Sequence, residues 1–197
     1  GAPAFSVDGT INTVNIGRGA NSVDGNTCFG ESALNDSVSG GNNTAIGKDT
    51  LTLLTSGASN TAIGSEALED ITTGSFNVAI GRQALKDNTE ASNNVGIGRA
   101  ALGVNTTGAS NVAVGALALD ANTTADNNTA LGYRPLTSNT TGDNNTAIGV
   151  FALDANTTAG NNTAVGYNSL ASNTTGTQNV SLGAFALNAN TTADDNT

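Results

Sequence analysis

The side chains able to do chemistry in this chain are few. Its 197 residues contain no histidine and a single cysteine, Cys28. A serine–histidine–aspartate triad, a cysteine–histidine pair and the usual zinc sites need histidine or further cysteines, so none of them can be assembled. Cys28 occupies a position that alanine fills in most copies of the repeat described below, which indicates a small buried side chain.

Paired carboxylates remain as a source of acid–base chemistry. The candidates are Glu66 with Glu69, Asp194 with Asp195, and the single acids Asp126 and Asp143. Most copies of the repeat lack an acid at these places, so we interpret these residues as solvated surface charges. The calcium-binding motif Gly-Gly-x-Gly-x-Asp is also missing, because the double glycine Gly40-Gly41 is followed by Asn-Asn-Thr. The sequence therefore predicts no catalytic residue, no metal site and no cofactor.

Two short motifs match functional signatures but have a structural explanation. Triplets such as Asn105-Thr106-Thr107 match the N-glycosylation acceptor, yet they recur at a fixed interval that a chain corner explains. Ile-Gly-x-x-Ala-Leu matches one hexapeptide of an acyltransferase helix, whose coils need several such hexapeptides. This chain has one per copy and no histidine base, so the sequence predicts that the protein is not an enzyme.

A strict period of 17 residues governs the chain. In one copy, Asn60-Thr61-Ala62-Ile63-Gly64 leads to Leu68. The glycines of the ten copies, the Gly column, are Gly30, Gly47, Gly64, Gly81, Gly98, Gly115, Gly132, Gly149, Gly166 and Gly183. The leucines, the Leu column, are Leu34, Leu51, Leu68, Leu85, Leu102, Leu119, Leu136, Leu153, Leu170 and Leu187. Equal spacing without insertions is typical of a stack of identical coils.

Each copy predicts one turn of a flattened roll. In an extended strand, asparagine and alanine share one face, and threonine or valine shares the other with the large apolar residue. The glycine permits positive φ or a close backbone approach at a first corner. Asn-Thr-Thr supplies a second corner, because asparagine tolerates left-handed backbone and bonds its own chain. Leucine is constant while its neighbours vary, so we place its side chain inside the roll.

A coil of this size cannot fold alone, because burying one isoleucine and one leucine stabilises it by far less than the ordering of 17 residues costs. A helical repeat is disfavoured by the Asn, Thr and Gly clusters. We therefore predict an all-β protein, a parallel β-solenoid of about ten coils over residues 26–197. Residues 1–25 are predicted to form an N-terminal cap or junction.

Charge and composition limit the classes of partner that the chain can bind. Six basic against sixteen acidic residues give a net charge of −10, which opposes binding to nucleic acid and to anionic membranes. Large apolar residues are scarce, so we expect the strand alanines to let another chain approach closely in a homo-oligomer. These alanines, the Ala column, are Ala45, Ala62, Ala79, Ala113, Ala130, Ala147 and Ala164.

The later copies alternate in pairs. From about residue 111 they form a 34-residue super-repeat that brings tyrosine or phenylalanine close after the glycine. We interpret this alternation as duplication of a two-coil block, with an axial array of aromatic sites as the alternative. The chain ends on Asn196-Thr197, the opening of a further copy, which predicts a segment of a longer array.

The pentapeptides Asn77-Val78-Ala79-Ile80-Gly81 and Asn111-Val112-Ala113-Val114-Gly115 resemble the repeats in the heads of trimeric autotransporter adhesins. The longer frame, with Ala-Leu and Asn-Thr-Thr-Gly, is similar to repeats of phage tail fibre and receptor-binding proteins. Both resemblances imply a left-handed parallel β-roll wound as a homotrimer at an extracellular or virion surface. The period of 17 is longer than the unit of the adhesin heads.

The resemblance implies a structural or adhesive role, as a rigid shaft or head segment of a phage tail fibre or cell-surface adhesin. Its partners would be two further copies of itself, with a host surface receptor or other fibre proteins. The sequence does not assign receptor-binding residues. Ice binding is the alternative, because the asparagine and the second threonine of Asn-Thr-Thr would form rows on one face.

Overall fold

The computed structural model describes residues 9–11, 14–19, 23–36 and 38–197 and contains no helix among them. Its twelve strands form one sheet in chain order. They are β1 (Gly9–Ile11), β2 (Val14–Gly17), β3 (Thr27–Glu31), β4 (Thr44–Ile46), β5 (Thr61–Ile63), β6 (Val78–Ile80), β7 (Val95–Ile97), β8 (Val112–Val114), β9 (Thr129–Leu131), β10 (Thr146–Ile148), β11 (Thr163–Val165) and β12 (Val180–Leu182).

From β3 to β12 every strand pairs in parallel with the next. The register advances by one copy at each step, so that Thr61 pairs with Val78 and Ala62 with Ala79. Neighbouring strands of a sheet lie about 4.8 Å apart, so each copy advances the chain by one strand spacing. The predicted all-β parallel solenoid is confirmed.

The N-terminal strands run differently. β2 pairs antiparallel with β3, and β1 pairs antiparallel with β2. This hairpin covers the edge of the first coil, where unpaired backbone groups would otherwise be exposed. It falls within the cap or junction predicted over residues 1–25, of which residues 1–8, 12–13 and 20–22 lie outside the described part.

Six positions of each coil point inward, and the Leu column fills most of the interior. From Leu34 to Leu170 every member is fully buried, and Leu187 in the last coil is partly buried. The other inward positions hold the strand asparagine, two small residues, the first residue of the second corner, and a glycine or alanine three residues later. From Asn88 onward the corner residue is asparagine, whereas Leu54 and Ile71 fill this position in two earlier coils and are fully buried. The leucine side chains therefore lie inside the roll, as their constancy in the sequence predicted.

The Ala column also lies inside the coil, since all seven alanines have no exposed surface. The prediction that these alanines face another chain is therefore wrong. A coil of 17 residues encloses a space so narrow that, opposite the leucine, the strand has room only for small side chains. The larger strand residues point outward instead, as Ile46 and Leu131 do at 39% and 46% exposure.

The Gly column brings neighbouring coils into direct backbone contact. From Gly47 to Gly183 these glycines have φ between +119° and +136°. Residues that carry a Cβ rarely adopt φ values in this range. A Cβ placed on Gly98 would lie 2.5 Å from the carbonyl oxygen of Gly115. The expectation of a corner with positive φ and close backbone approach is confirmed from Gly47 to Gly166, where both requirements disfavour any other residue.

Three further residues in each coil adopt left-handed backbone although none is glycine. In the coil that contains β5 they are Glu66, Leu68 and Phe76, with φ of 60°, 49° and 60°. Each donates its backbone N–H to a neighbouring coil, to Lys48 O, Ala84 O and Ala58 O at 2.9, 3.1 and 3.1 Å. Left-handed geometry costs roughly 1–2 kcal/mol per residue, so these inter-coil hydrogen bonds hold the coil in shape.

The asparagine of Asn-Thr-Thr is not among the left-handed residues, so that part of the corner prediction is wrong. Its side chain shapes the corner instead. Asn105 Nδ2 donates to Gly108 O at 2.8 Å, three residues on, and thereby closes the turn.

We predict that Gly98→Ala lowers the free energy of unfolding by about 2 kcal/mol or more, because the new Cβ meets backbone and φ becomes strained. Gly103→Ala in the same coil is the control. Its Cβ would make contacts no closer than 3.3 Å, so stability should change by less than about 1 kcal/mol. Urea melts measure both, and equal losses would contradict the assignment of the Gly column.

Leu119→Ala in mid-array should destabilise the protein by roughly 2–5 kcal/mol, because the stacked backbones cannot close the cavity. Leu187→Ala should cost less, because Leu187 is only partly buried and lies in the last coil. Denaturant melts of the two variants, compared with the unchanged chain, test the difference. Equal and negligible losses would show that the leucines do not stabilise the stack.

Candidate functional site: the outer surfaces of the coil

The inward asparagines form two hydrogen-bonded columns, in which Asn128 Nδ2 is a buried donor without a partner among the described residues. In the strand column, Asn60 donates its backbone N–H to Asn43 Oδ1 at 2.9 Å and its Nδ2 to Gly74 O at 2.9 Å. In the corner column, Asn122 Nδ2 donates to Asn105 Oδ1 at 2.8 Å. Asn105 and Asn122 have no exposed surface, so their amides serve the corner, which supports the interpretation that these Asn-x-Thr triplets are incidental.

Several predicted surface acids prove to be structural. Asp126 Oδ1 accepts the backbone N–H of Ala109 at 2.6 Å, and Asp143 Oδ1 accepts that of Asp126 at 2.8 Å. Asp194 accepts the N–H of Thr177 at 2.6 Å, and this hydrogen bond holds its pKa below the ordinary value. Asp143 and Asp194 are exposed, in line with their interpretation as surface charges, and Asp126 is partly exposed. Each of the three in addition caps a backbone donor of the preceding coil.

The two predicted glutamates do not form a reactive pair. Glu66 accepts a hydrogen bond from Gln83 Nε2 at 2.8 Å, and Glu69 lies 3.4 Å from Lys86 Nζ. Cys28 is 3% exposed on β3, beside Ala45 of the next strand. Among the described residues, no three His, Cys, Asp or Glu side chains lie close enough together to hold a metal ion.

The outward side of the sheet is uncharged over all ten coils. This outer face consists of the strand residues on either side of the inward alanine. They are Thr27, Phe29, Thr44, Ile46, Thr61, Ile63, Val78, Ile80, Val95, Ile97, Val112, Val114, Thr129, Leu131, Thr146, Ile148, Thr163, Val165, Val180 and Leu182. It is a regular, uncharged feature of the exterior. The sequence did not reveal it, because alternation defines two faces without saying which one points inward.

A second outward column carries hydroxyl groups. The second threonine of Asn-Thr-Thr is exposed, and the run is unbroken from Thr107 to Thr192. The first threonine is occupied, since Thr106 Oγ1 donates to Thr123 O at 2.9 Å. The asparagine of the triplet is buried, so the prediction that it shares a face with the second threonine is wrong.

The 34-residue super-repeat places aromatic pairs on the surface. The rings of Tyr133 and Phe151 meet edge to face with centroids 5.7 Å apart, and those of Tyr167 and Phe185 at 5.2 Å. In both pairs the partners come from neighbouring coils. The Arg134 guanidinium lies 5.9 Å from the centroid of the Phe151 ring, within range of a cation–π interaction.

Two half-buried acids flank this aromatic region. Burial raises the pKa of Asp120 and of Asp154. The positive charges of Arg99 and Arg134 oppose part of the rise in the pKa of Asp120, and that of Arg134 does so for Asp154. Asp154 Oδ1 and Arg134 Nε are buried atoms without a hydrogen-bond partner in the described part of the chain. The charged form of Asp154 is therefore disfavoured in the folded protein.

In the described part of the chain, no helix has the length and apolarity needed to span a membrane. Comparison with protein-family models, with curated proteins and with solved structures finds no match to this chain.

We predict that Asp154→Asn raises the melting temperature at pH 7. The folded carboxyl has a raised pKa, so folded protein holds more protons than unfolded protein between the ordinary value of 3.8 and that raised value. The contribution of this carboxyl to the free energy of unfolding therefore falls as pH rises through this window. Asparagine does not ionise, so the variant does not lose that stability. The gain should shrink as pH approaches 3.8.

Glu90→Gln is the control, because Glu90 is an exposed acid outside this region. It should leave the melting temperature at pH 7 unchanged. Calorimetry at both pH values measures the effect, and a lower melting temperature for Asp154→Asn at pH 7 would mean that attraction to Arg134 outweighs burial.

Proposed function

We propose that this chain is a rigid structural segment of a surface fibre, a shaft or head segment of a phage tail fibre or cell-surface adhesin, that assembles as a homotrimer. The observation that carries the proposal is the uncharged outer face. A chain of net charge −10 that keeps a strip two residues wide free of charge along ten coils presents a surface suited to contact with further copies.

The outer face is regular as well as uncharged. Its threonine or valine column and its large apolar column each run along ten coils, and Ile63, Val112 and Leu131 remain 36%, 38% and 46% exposed. Burial of such side chains contributes about 25 cal/mol per Å² of apolar surface. The homotrimer is thus proposed to form through this face, rather than through the Ala column.

Stiffness follows from the way each coil is bonded to its neighbours. Strand pairing, asparagine columns and left-handed residues all link one coil to the next. In such a stack bending would strain many of these bonds together. A stiff rod suits the separation of a receptor-binding end from an anchor, at a virion surface or outside a cell, and the resemblance to adhesin-head repeats supports the trimeric state and this location.

Ice binding is the second candidate. The unbroken exposed threonines from Thr107 to Thr192 favour it, because they repeat at the strand spacing of about 4.8 Å. They form a single row, since the neighbouring threonine hydroxyls are bonded to backbone and the asparagines are buried. Thermal hysteresis of the purified chain, lost in Thr141→Lys, would favour ice binding over the fibre.

The double variant Ile63→Lys/Leu131→Lys tests the assembly face. We expect the unchanged chain to sediment as three copies of the 19.3 kDa chain, and the variant as a monomer, because two buried charges per subunit would lack partners. Analytical ultracentrifugation gives the masses, and circular dichroism shows whether the monomer keeps its β structure.

Thr73→Lys/Thr141→Lys is the matched control, with the same charges placed on the exposed threonine column of the same two coils. It should remain trimeric. A monomeric unchanged chain at micromolar concentration, or equal dissociation of both variants, would overturn the proposed assembly.

A further inference from the structure

The two tyrosine–phenylalanine pairs form an exposed stripe along the last coils. Tyr133, Tyr167 and Phe185 keep 45%, 47% and 56% of their surface exposed, and Phe151 lies between the tyrosines, half-buried. We call Tyr133, Phe151, Tyr167 and Phe185 the aromatic stripe. Its rings are fixed by edge-to-face contacts between coils, so they form a stiff platform.

Folding does not require these rings. The position of Tyr133 and Tyr167, directly after the column glycine, is filled by Ala116 and Ala184 in other coils of the same stack. Exposing large aromatic surface to water is unfavourable, and the solenoid forms with alanine there. The stripe therefore presents apolar ring surface that the fold leaves unused.

We propose that the aromatic stripe binds a neutral, extended β-linked oligosaccharide, with one sugar ring on each tyrosine–phenylalanine pair. The C–H groups on the face of a pyranose are weakly positive and pack against the negative face of an aromatic ring. The hydroxyls around the sugar's edge need donors and acceptors beside the ring. The stripe combines both kinds of group.

Polar side chains lie beside each pair in equivalent places. Arg134 and Asp154 flank the first pair, and two coils later Asn168 and Asn188 occupy the corresponding positions. Guanidinium, carboxylate and amide groups can all bond hydroxyls. Because the first pair is flanked by charges of both signs and the whole chain carries −10, an uncharged sugar is favoured over an anionic one.

The distance between the two tyrosine–phenylalanine pairs favours a straight ligand. The two pairs repeat every two coils, a separation of about 9.6 Å at the usual strand spacing. Two sugar units of an extended β-linked chain cover a similar length, whereas an α-linked chain curves away from a straight line of rings. The stripe therefore fits a straight oligosaccharide that lies along the axis of the solenoid.

Tyrosine fluorescence offers a direct test. The chain has two tyrosines and no tryptophan, so its tyrosine emission comes from Tyr133 and Tyr167 alone. Titration with cellohexaose and with chitohexaose, both neutral and β-linked, should change this emission saturably for at least one of them. Maltohexaose, which is α-linked, should bind at least about tenfold more weakly if the extended shape is what is recognised.

Tyr133→Ala and Tyr167→Ala should each weaken binding about tenfold, as measured by calorimetry, because one stacking contact is lost. Alanine at these places is already compatible with the fold. Phe76→Ala, which removes a 62% exposed ring elsewhere, should leave the affinity unchanged. Absence of binding to both β-linked sugars, equal binding of maltohexaose, equal weakening by Phe76→Ala, or saturable binding of a polyproline peptide in their place would each overturn the proposal.

The proposed sugar site depends on the proposed fibre function in one respect only, namely that the bound sugar would be part of a receptor for the fibre. The two proposals fail separately, because sugar binding is read from two tyrosines and assembly from sedimented mass. A trimer that binds no sugar overturns the site alone, and a monomer that binds the sugar overturns the assembly alone.

Discussion

Every coil of this protein depends on hydrogen bonds to the coils on either side. Leu68 holds a left-handed backbone that leucine rarely adopts, and its N–H reaches the next coil. The same bond recurs at nearly every step, so the cost of one coil's geometry is offset by its neighbour. Stability is therefore a property of the stack, and a coil taken alone would lose the bonds that define its shape.

This dependence divides the chain into fixed and variable positions. A side chain that points inward must match its equivalents above and below, so asparagine, alanine and leucine repeat there almost without change. Outward positions are free of that requirement, and they hold lysine, arginine, tyrosine or phenylalanine in different coils. Functional differences between coils must therefore come from the outward side chains. The interior sets the distance between equivalent outward positions.

The period alone predicted the solenoid, the glycine corner and the buried leucines, because each follows from repetition and elementary backbone sterics. The inside and outside of the strand could not be decided in that way. Apolarity favours an inward isoleucine, but the narrow coil admits only small residues opposite leucine, namely alanine in most coils and Cys28, Gly96 or Ser181 in the others. That limit of volume depends on how tightly the coil closes. The capping by Asp126 and Asp143 was hidden too, because their donors lie one coil away.

The two-coil period has one cause inside the protein and another outside it. At the inward position after Asn-Thr-Thr, glycine and alanine alternate from Gly74 and Ala91 onward, and a Cβ on Gly142 would lie 2.2 Å from the carbonyl oxygen of Ala159. That alternation is a matter of packing.

It begins, however, where the residues after the column glycine are still Arg82 and Arg99. The packing pattern therefore runs through coils that have no aromatic pair, and it does not require the tyrosines that appear later. The aromatic stripe uses a spacing that the interior provides, but its rings need a reason of their own. Contact with a molecule outside the solenoid supplies one.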